Sequence, residues 1–409
     1  MTARIKVKWL SIQRKTIDPL DMPDGDLELW SIPDFDNGSP SITNRQSIGS
    51  SKKVVFPGDV LLSKIVPHIR RAWIVRESNL PQYASTEWLT FHSSKVRPEF
   101  LRYALLTDEF NRQMQLNSNG MGSLKRADPE KVGEQQINLP TIRKQKIIAD
   151  FLDKRLVAID AVLHQKSEQL KKISSYRQSL ITRAVTKGKY SKGFDAVSYV
   201  PFSAIFSLRR GLNITRENYQ EEGVPCLSYG DVHSRYLGFV DAEINPLPKV
   251  SDDFVLTNPR CLLKTGEFVF ADTSEDYKGS GDCTCVMNSG DGIFAGYHTT
   301  VASPTKRNIC SQYYGYYFLS DDFRDQVRKE VKGVKVFSIT NTILNHAKVL
   351  FLPLKDQEEI ARFLDVKCST INKIEQKIYK EIEKLKEYRS SLISAAVTGQ
   401  LAIDEEASA

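Results

Sequence analysis

The sequence predicts an α+β chain, in which two mixed α/β domains are separated by two long antiparallel helices that form a coiled coil, the whole being an internal repeat with pseudo-twofold symmetry. Three observations carry this. "YRQSLITRAVTKGKY" from Tyr176 returns as "YRSSLISAAVTGQL" from Tyr388, 212 positions later in a chain of 409. At the same offset "QKIIADFLD" from Gln145 lies over "QEEIARFLD" from Gln357, and 16 of the 42 aligned pairs from there to Thr186 and Thr398 are identical, which is duplication rather than chance. The segments between the two copies match as well, more faintly: "LLTDEFNRQ" from Leu105 over "FLSDDFRDQ" from Phe318, and "FPGDVLLSK" from Phe56 beside "KTGEFVFAD" from Lys264.

In chain order the elements are a globular domain over 1–144, a helix over 145–188, a second domain over 189–356, a second helix over 357–400 and a tail over 401–409. Leu364, Ile371, Ile378, Leu385 and Leu392 recur every seven residues in the second helix, and Leu152, Ile159, Lys166, Ile173 and Leu180 fill the matching slots of the first. That seam is longer than a small adjoining domain covers, so the other copy is its partner. Lys166, the polar slot, either snorkels at the seam's edge or fixes its register. Pro140 and Pro353 stand before the helices and Gly188 and Gly399 after them, the usual punctuation at helix ends. In each domain a turn glycine and an acid lead into a short apolar strand, and Gly120 or Gly333 stands 20 residues before the proline. "QYYGYYFLSDDF" from Gln312 aligns with "RYALLTDEF" and so reads as a helix packing its aromatics into a core rather than stacking on bases.

The two domains have diverged. All four tryptophans, Trp9, Trp30, Trp73 and Trp88, are in the first, and all six cysteines follow it. The cysteines show no paired framework, so reduced thiols are expected, and the C-x-C of Cys283 and Cys285 lacks the further ligands of a zinc site; no metal is expected. No apolar run reaches the ~18 residues that span a bilayer, and the start "MTARIKVKWLSIQRK" lacks a secretion signal's apolar segment, so the expected location is the cytoplasm, away from membranes.

Catalytic motifs are missing. There is no phosphate-cradling G-x-x-x-x-G-K-[ST], no H-E-x-x-H, no G-x-S-x-G and no strand-linked G-x-G-x-x-G, while "NPR" at Asn258 is not the Asn-Pro-Pro-aromatic motif of amino-methyltransferases. Binding is the stronger class. A net charge of +7 permits an acidic partner, and short basic groups sit beside Gly, Ser and Asn as loop tips do. In the first domain these supply Lys64, His68, Arg70, Arg71, Lys125 and Arg126 as candidate DNA contacts; in the second, Arg209, Arg210 and, in "KGVK", Lys335. The loops "LSYGDVHSRY" from Leu227, "ADTSEDYKGSG" from Ala271 and "GYHTT" from Gly296 add Tyr229, Asp231, His233, Asp272, Thr273, Ser274, Lys278, His298 and Thr299, side chains of the length and polarity that read base edges.

The duplicated "Q-x-x-I-A-x-F-L-D" and "Y-R-x-S-L-I-x-x-A-V-T" blocks, the prolines ahead of them and the "ADTSED" loop together resemble the specificity subunit of type I restriction and modification systems, over essentially the whole chain. The resemblance implies two target-recognition domains on double-stranded DNA, each reading one half of a split site, with the rods setting the gap and no catalysis by the chain itself. It implies two modification subunits that bring S-adenosylmethionine and methylate adenine, docked at Tyr176 with Arg177 and at Tyr388 with Arg389, and restriction/translocase subunits that use ATP and Mg. The family often has "PPL-x-E-Q" before its helix, whereas this chain has "LPTIRKQ" and "LPLKDQ", with Lys144 where an acid is common, so docking at the first helix is expected to differ in charge. The stretch before Trp9 is short, so an N-terminal contact of the relatives is expected to be missing. The competing expectation from the residues alone is a coiled-coil adaptor that binds proteins.

Overall fold

Proline fixes the start of both long helices. In a computed structural model, which describes residues 3–122, 125–188 and 198–403, Ile142–Lys187 begins two residues after Pro140, and Leu354–Thr398 directly follows Pro353. Gly188 and Gly399 close them in the left-handed region, at φ 74° and 81°, where glycine meets no Cβ penalty. The expected domain boundary at 189 and most of the tail lie outside the described residues. The chain divides into two units, Met1–Ser167 with Tyr379–Ala409, and Glu168–Ile378, so each unit holds one globular domain and a part of each long helix.

In the first unit Ala3–Lys6 and Gln136–Leu139 pair antiparallel and close the domain at the point where its helix departs. A five-stranded sheet runs in the order Thr16–Ile17, Lys52–Val54, Gln82–Ser85, Leu27–Trp30, Ser41–Thr43, with only the Gln82–Ser85 and Leu27–Trp30 neighbours parallel. A three-stranded sheet places Val60–Ser63 between Ala72–Ile74 and Trp88–Phe91. Three of the tryptophans form a core: Trp30 and Trp88 are buried, and Trp73 packs edge-on against Trp30 with centroids 4.5 Å apart. Trp9 is exposed. A separate core sets Phe100, Leu101, Phe110 and Met114 against Ile148, Leu152 and Leu156 of the first long helix and Ile393, Ala396 and Val397 of the second. Each such fully buried aliphatic side chain contributes about 1.5–3 kcal/mol relative to exposure.

The second unit repeats this plan. Ser198–Pro201 pairs antiparallel with Lys348–Phe351, again at the root of a long helix. Its five-stranded sheet runs Phe206–Arg210, Thr299–Pro304, Phe268–Ala271, Cys283–Asn288, Gly238–Asp241. The helix Ser311–Leu319 buries Tyr313, Tyr314, Tyr317 and Phe318, so the aromatic run is core, as expected. They join one cluster with Ile181, Ala184 and Val185 of the first long helix and Ile360, Ala361 and Leu364 of the second.

Within each unit the long helices run antiparallel. In the first, Arg389 reaches Asp160 at 2.8 Å and Lys166 reaches Glu381 at 2.7 Å, the partner number rising as the other falls. In the second, Arg177 donates to Asn372 and Glu375, both at 2.6 Å. Lys166 thus sits in a cross-helix ion pair. Of the seam positions, Leu364, Ile371 and Ile378 are buried, while Ile159, Ile173, Leu180, Leu385 and Leu392 are half-buried. Each end of each long helix covers the domain core of the unit it lies in, and between those ends the two helices meet each other, as the Lys166–Glu381 pair shows.

The repeated polar residues explain themselves by hydrogen bonds. Gln145, buried, accepts from the Arg97 N–H and donates to the Pro140 carbonyl, at 2.8 and 2.9 Å. Gln357, also buried, accepts from the Cys310 N–H at 2.8 Å and donates to the carbonyls of Leu352 and Asn308. Arg97 and Cys310 are the N-caps of equivalent helices, so each glutamine pins its domain to the root of the rod. At the second helix of each domain, the Asp108 N–H bonds the Ser394 hydroxyl at 2.9 Å, and the Asp321 N–H bonds the Thr182 hydroxyl at 3.0 Å.

Candidate nucleic-acid interface

One loop construction occurs in both units. In the first, the strand Val60–Ser63 runs into residues 64–71, which are pinned to the segment after the helix Asp108–Leu116: Ile65 bridges Arg126, Val66 N–H donates to the Lys125 carbonyl at 2.8 Å, and Ala127 N–H to the Lys64 carbonyl at 2.7 Å. In the second, Phe268–Ala271 runs on to Thr273–Ser274, which pairs with Phe337–Ser338 beyond the helix Asp321–Glu330, and Ile339 N–H donates to the Asp272 carbonyl at 2.8 Å. Two segments far apart in sequence therefore form one paired tip per unit. The non-glycine residues with positive φ among the described residues are Val66, Arg70 and His298, at 45°, 56° and 52°, and all three lie in the candidate loops. Such backbone costs about 1–3 kcal/mol per residue and persists where the surroundings enforce it, commonly at functional sites.

The three polar loops singled out in the second domain converge. His233 bonds Asp282 and the Thr273 carbonyl, His298 Nδ1 lies 3.2 Å from an Asp272 carboxylate oxygen, and the Tyr229 ring meets His298 and Tyr297 edge-on at 5.5 and 5.4 Å. His298 and Lys278 are exposed; Asp272, Thr273 and Tyr229 are half-buried. The structure adds Arg216, which reading the sequence missed: it is exposed and donates to the Tyr297 hydroxyl at 2.9 Å. No local motif marks it.

Other candidates are engaged in the framework. Asp231 is buried as the reciprocal acid of the capping box opened by Ser228, and burial, before all else, pushes its carboxyl up. Ser274 bonds the Asp276 carbonyl at 2.7 Å, and Thr299 the Gly296 carbonyl at 2.6 Å; both are buried. Arg209 makes two bonds to Glu267, at 2.8 and 2.6 Å, and others to the carbonyls of Arg260 and Leu262, which occupies its guanidinium. Arg210 is exposed, and its backbone pairs with Thr300. Lys335 is exposed between Val334 and Val336, which are exposed too.

In the first unit Arg71 is buried in a two-bond pair with Asp36, at 2.8 and 2.7 Å, and that bonding holds the Asp36 carboxyl below the usual range. Arg70 pairs with Asp108 at 2.6 Å and bonds Ser390. These two arginines brace the loop. Lys64 and Arg126 flank Glu87 at 3.7 and 3.3 Å; Arg126 and His68 are exposed and Lys125 is half-buried. Tyr176 and Tyr388 stand out from their helices with 59% and 57% of their surface exposed. The neighbouring Arg177 and Arg389 are turned instead to the opposite helix.

Among the described residues no group of three His, Cys, Asp or Glu is placed to hold a metal. All six cysteines are free; Cys283 and Cys285 are buried on one strand, where burial raises both thiols above their ordinary pKa. No helix among the described residues is long and apolar enough to cross a membrane.

Fold and loops together define a duplicated helix-framed chain that displays two different loop tips. The chain belongs to the type I restriction modification DNA specificity domain family, whose model matches it twice, over residues 12–172 and 202–384. Its fold resembles that of a chain from a structural study of complex assembly and conformational transition of the type I R-M system, with a TM-score of 0.70 and 16% identity, covering 98% of both chains. It is also matched, at a TM-score of 0.44 and 17% identity, by the HsdS subunit from Thermoanaerobacter tengcongensis, over 98% of this chain and 97% of that one. No curated protein sequence matches it.

Proposed function

We propose that the chain reads a two-part site on double-stranded DNA, one part per unit, and is itself non-catalytic. The observation that supports this best is the repeated loop tip: the same backbone construction, tied down in both units, carries basic side chains in one and lies within an Asp-His-Tyr cluster in the other. One frame with two different polar surfaces suits two different half-sites. Lys64, Lys125, Arg126, His68, Lys278, Lys335, Arg210 and Arg216 supply phosphate contacts, and Asp272, Thr273, His298 and Tyr229 face bases. Two modification subunits dock at the repeated Tyr176 and Tyr388. They carry S-adenosylmethionine, restriction subunits carry ATP and Mg, and the assembly works in the cytoplasm.

The test is Asp272→Ala in a host that makes the chain with its modification partners, read by sequencing methylated adenines. Removing one base-reading side chain costs about 1–3 kcal/mol of discrimination, so one side of the recognised site should relax while the other stays fixed. Equal relaxation on both sides would contradict separate readers. Methylation or binding without sequence preference in the unaltered complex would leave the adaptor reading in its place.

A further inference from the structure

The loop after Phe268–Ala271 is held from beneath by one side chain. Both ring nitrogens of His233 lie 2.8 Å from oxygens, Nδ1 from a carboxylate oxygen of Asp282 and Nε2 from the main-chain carbonyl of Thr273. A main-chain carbonyl and an ionised carboxylate only accept, so holding both bonds takes a hydrogen on each nitrogen: the imidazolium. Burial alone would lower the pKa of this half-buried ring. The bonds to Asp282 and Thr273, with the charges of Asp282 and Asp276, outweigh burial and raise it above the ordinary 6.5.

The other groups around the ring complete the setting. Arg324, from the helix Asp321–Glu330, bonds the second oxygen of Asp282, and both it and Arg328 donate to the Lys278 carbonyl. On its own helix His233 has the Tyr229 ring edge-on, with Asp231 buried and Arg235 exposed nearby. Gly279 lies close enough that a Cβ there would meet the His233 ring at 3.3 Å and the Ser274 hydroxyl at 2.6 Å.

The first unit solves the same problem with different chemistry. Ile32–Asn37 and Tyr229–Ser234 both open on a Ser-x-x-Asp capping box, Ser31 with Asp34 and Ser228 with Asp231. Five residues past each serine stands the side chain that reaches the loop, Asp36 in one and His233 in the other. Asp36 holds Arg71 by an ion pair that keeps the Asp36 carboxyl below its ordinary value, so this loop's brace contains no histidine.

We propose that His233 is a positioning residue for the second recognition loop: with both protons on, its ring ties the Thr273 carbonyl to Asp282, and with one proton it can donate to only one of the two, so that discrimination at the half-site read by the second unit weakens as pH rises while discrimination at the first does not. This rests on the two-part DNA reading above. The sign follows from linkage: a histidine whose pKa is raised by its folded partners contributes fully below its unfolded value, about 6.5, and loses that contribution as pH rises through the raised one.

The experiment uses the full chain with its modification subunits and duplexes altered by one base pair in either half-site, with binding measured from pH 6.5 to 9. Discrimination at the second half-site should fall roughly tenfold or more across that range, the scale of a broken hydrogen bond to a charged group, while the first stays within about twofold. His233→Gln should discriminate less at the second half-site and show a shallower pH slope there than the parent, because an amide donates to one acceptor at every pH. In parallel, 15N-histidine labelling of the chain alone should show, near neutral pH, one ring with both nitrogens protonated that is lost in His233→Gln. Equal pH slopes at both half-sites, a wild-type slope in His233→Gln, or a singly protonated His233 overturns the proposal. Absence of selectivity at every pH would instead sink the DNA reading, and the proposal with it.

Discussion

Replacing Gln357 with alanine tests whether the repeated glutamine is what secures each domain to its helix. The Gln357 side chain is fully buried and makes three hydrogen bonds, from the Cys310 N–H at 2.8 Å and to the carbonyls of Leu352 and Asn308 at 2.7 and 3.1 Å. Alanine removes all three bonds at once and leaves the backbone partners without the glutamine. A buried polar group left unpaired costs about 1–3 kcal/mol, and where a carbonyl regains water the loss is nearer 1, so the variant should lose roughly 3–5 kcal/mol. Gln145→Ala removes only two bonds, to Arg97 and Pro140, and should lose about 1 kcal/mol less. The assay is urea unfolding of the full chain. All four tryptophans lie in the first unit, so their fluorescence follows that unit, whereas far-UV circular dichroism follows both. Gln357→Met keeps most of the volume and loses the bonds, which separates hydrogen bonding from cavity formation. A loss below about 1 kcal/mol in Gln357→Ala, or a Gln357→Met variant as stable as the parent, would refute the reasoning.

Three further outcomes follow from the same geometry. Lys125→Ala combined with Arg126→Ala should weaken binding to every duplex and flatten its salt dependence by roughly one unit for each phosphate no longer neutralised; an unchanged slope in a salt titration would place these side chains away from DNA. Tyr176→Ala and Tyr388→Ala, at exposed positions, should each change stability by less than about 0.5 kcal/mol yet each cost one modification subunit, as read by native mass spectrometry; two subunits retained by the double variant would remove the docking proposal. Glu134 takes bonds from Lys6 at 2.6 Å and Lys8 at 2.5 Å, which hold its carboxyl down to about 2. What that tie contributes is present above the ordinary 4.5 and disappears as pH falls toward 2, so Glu134→Gln should flatten the acid side of the first unit's tryptophan-reported stability profile.

The sequence by itself determined the repeat, the helices and the kind of surface the loops present. Those features are local: a seven-residue spacing puts Leu364, Ile371 and Ile378 on one face whatever lies opposite, Pro353 marks a helix start through its fixed φ, and Gly399 ends the helix through its freedom to take positive φ. The aromatic run from Tyr313 was assignable to the core because its aligned copy was apolar. Tertiary structure alone decided which polar side chains are free to meet a ligand. Arg71 and Arg209 look like loose cations in sequence, yet Asp36 and Glu267, 35 and 58 residues away, claim them. Arg177 and Arg389 look like part of a docking motif, and their acceptors lie on the other long helix, 195 and 229 residues distant. The same separation hid the role of Gln145 and Gln357 and the grip of His233 on the Thr273 loop. An apolar face needs only burial, which periodicity announces, but a polar group needs a particular partner at hydrogen-bond distance, and strand order and loop pairing alone bring that partner within reach.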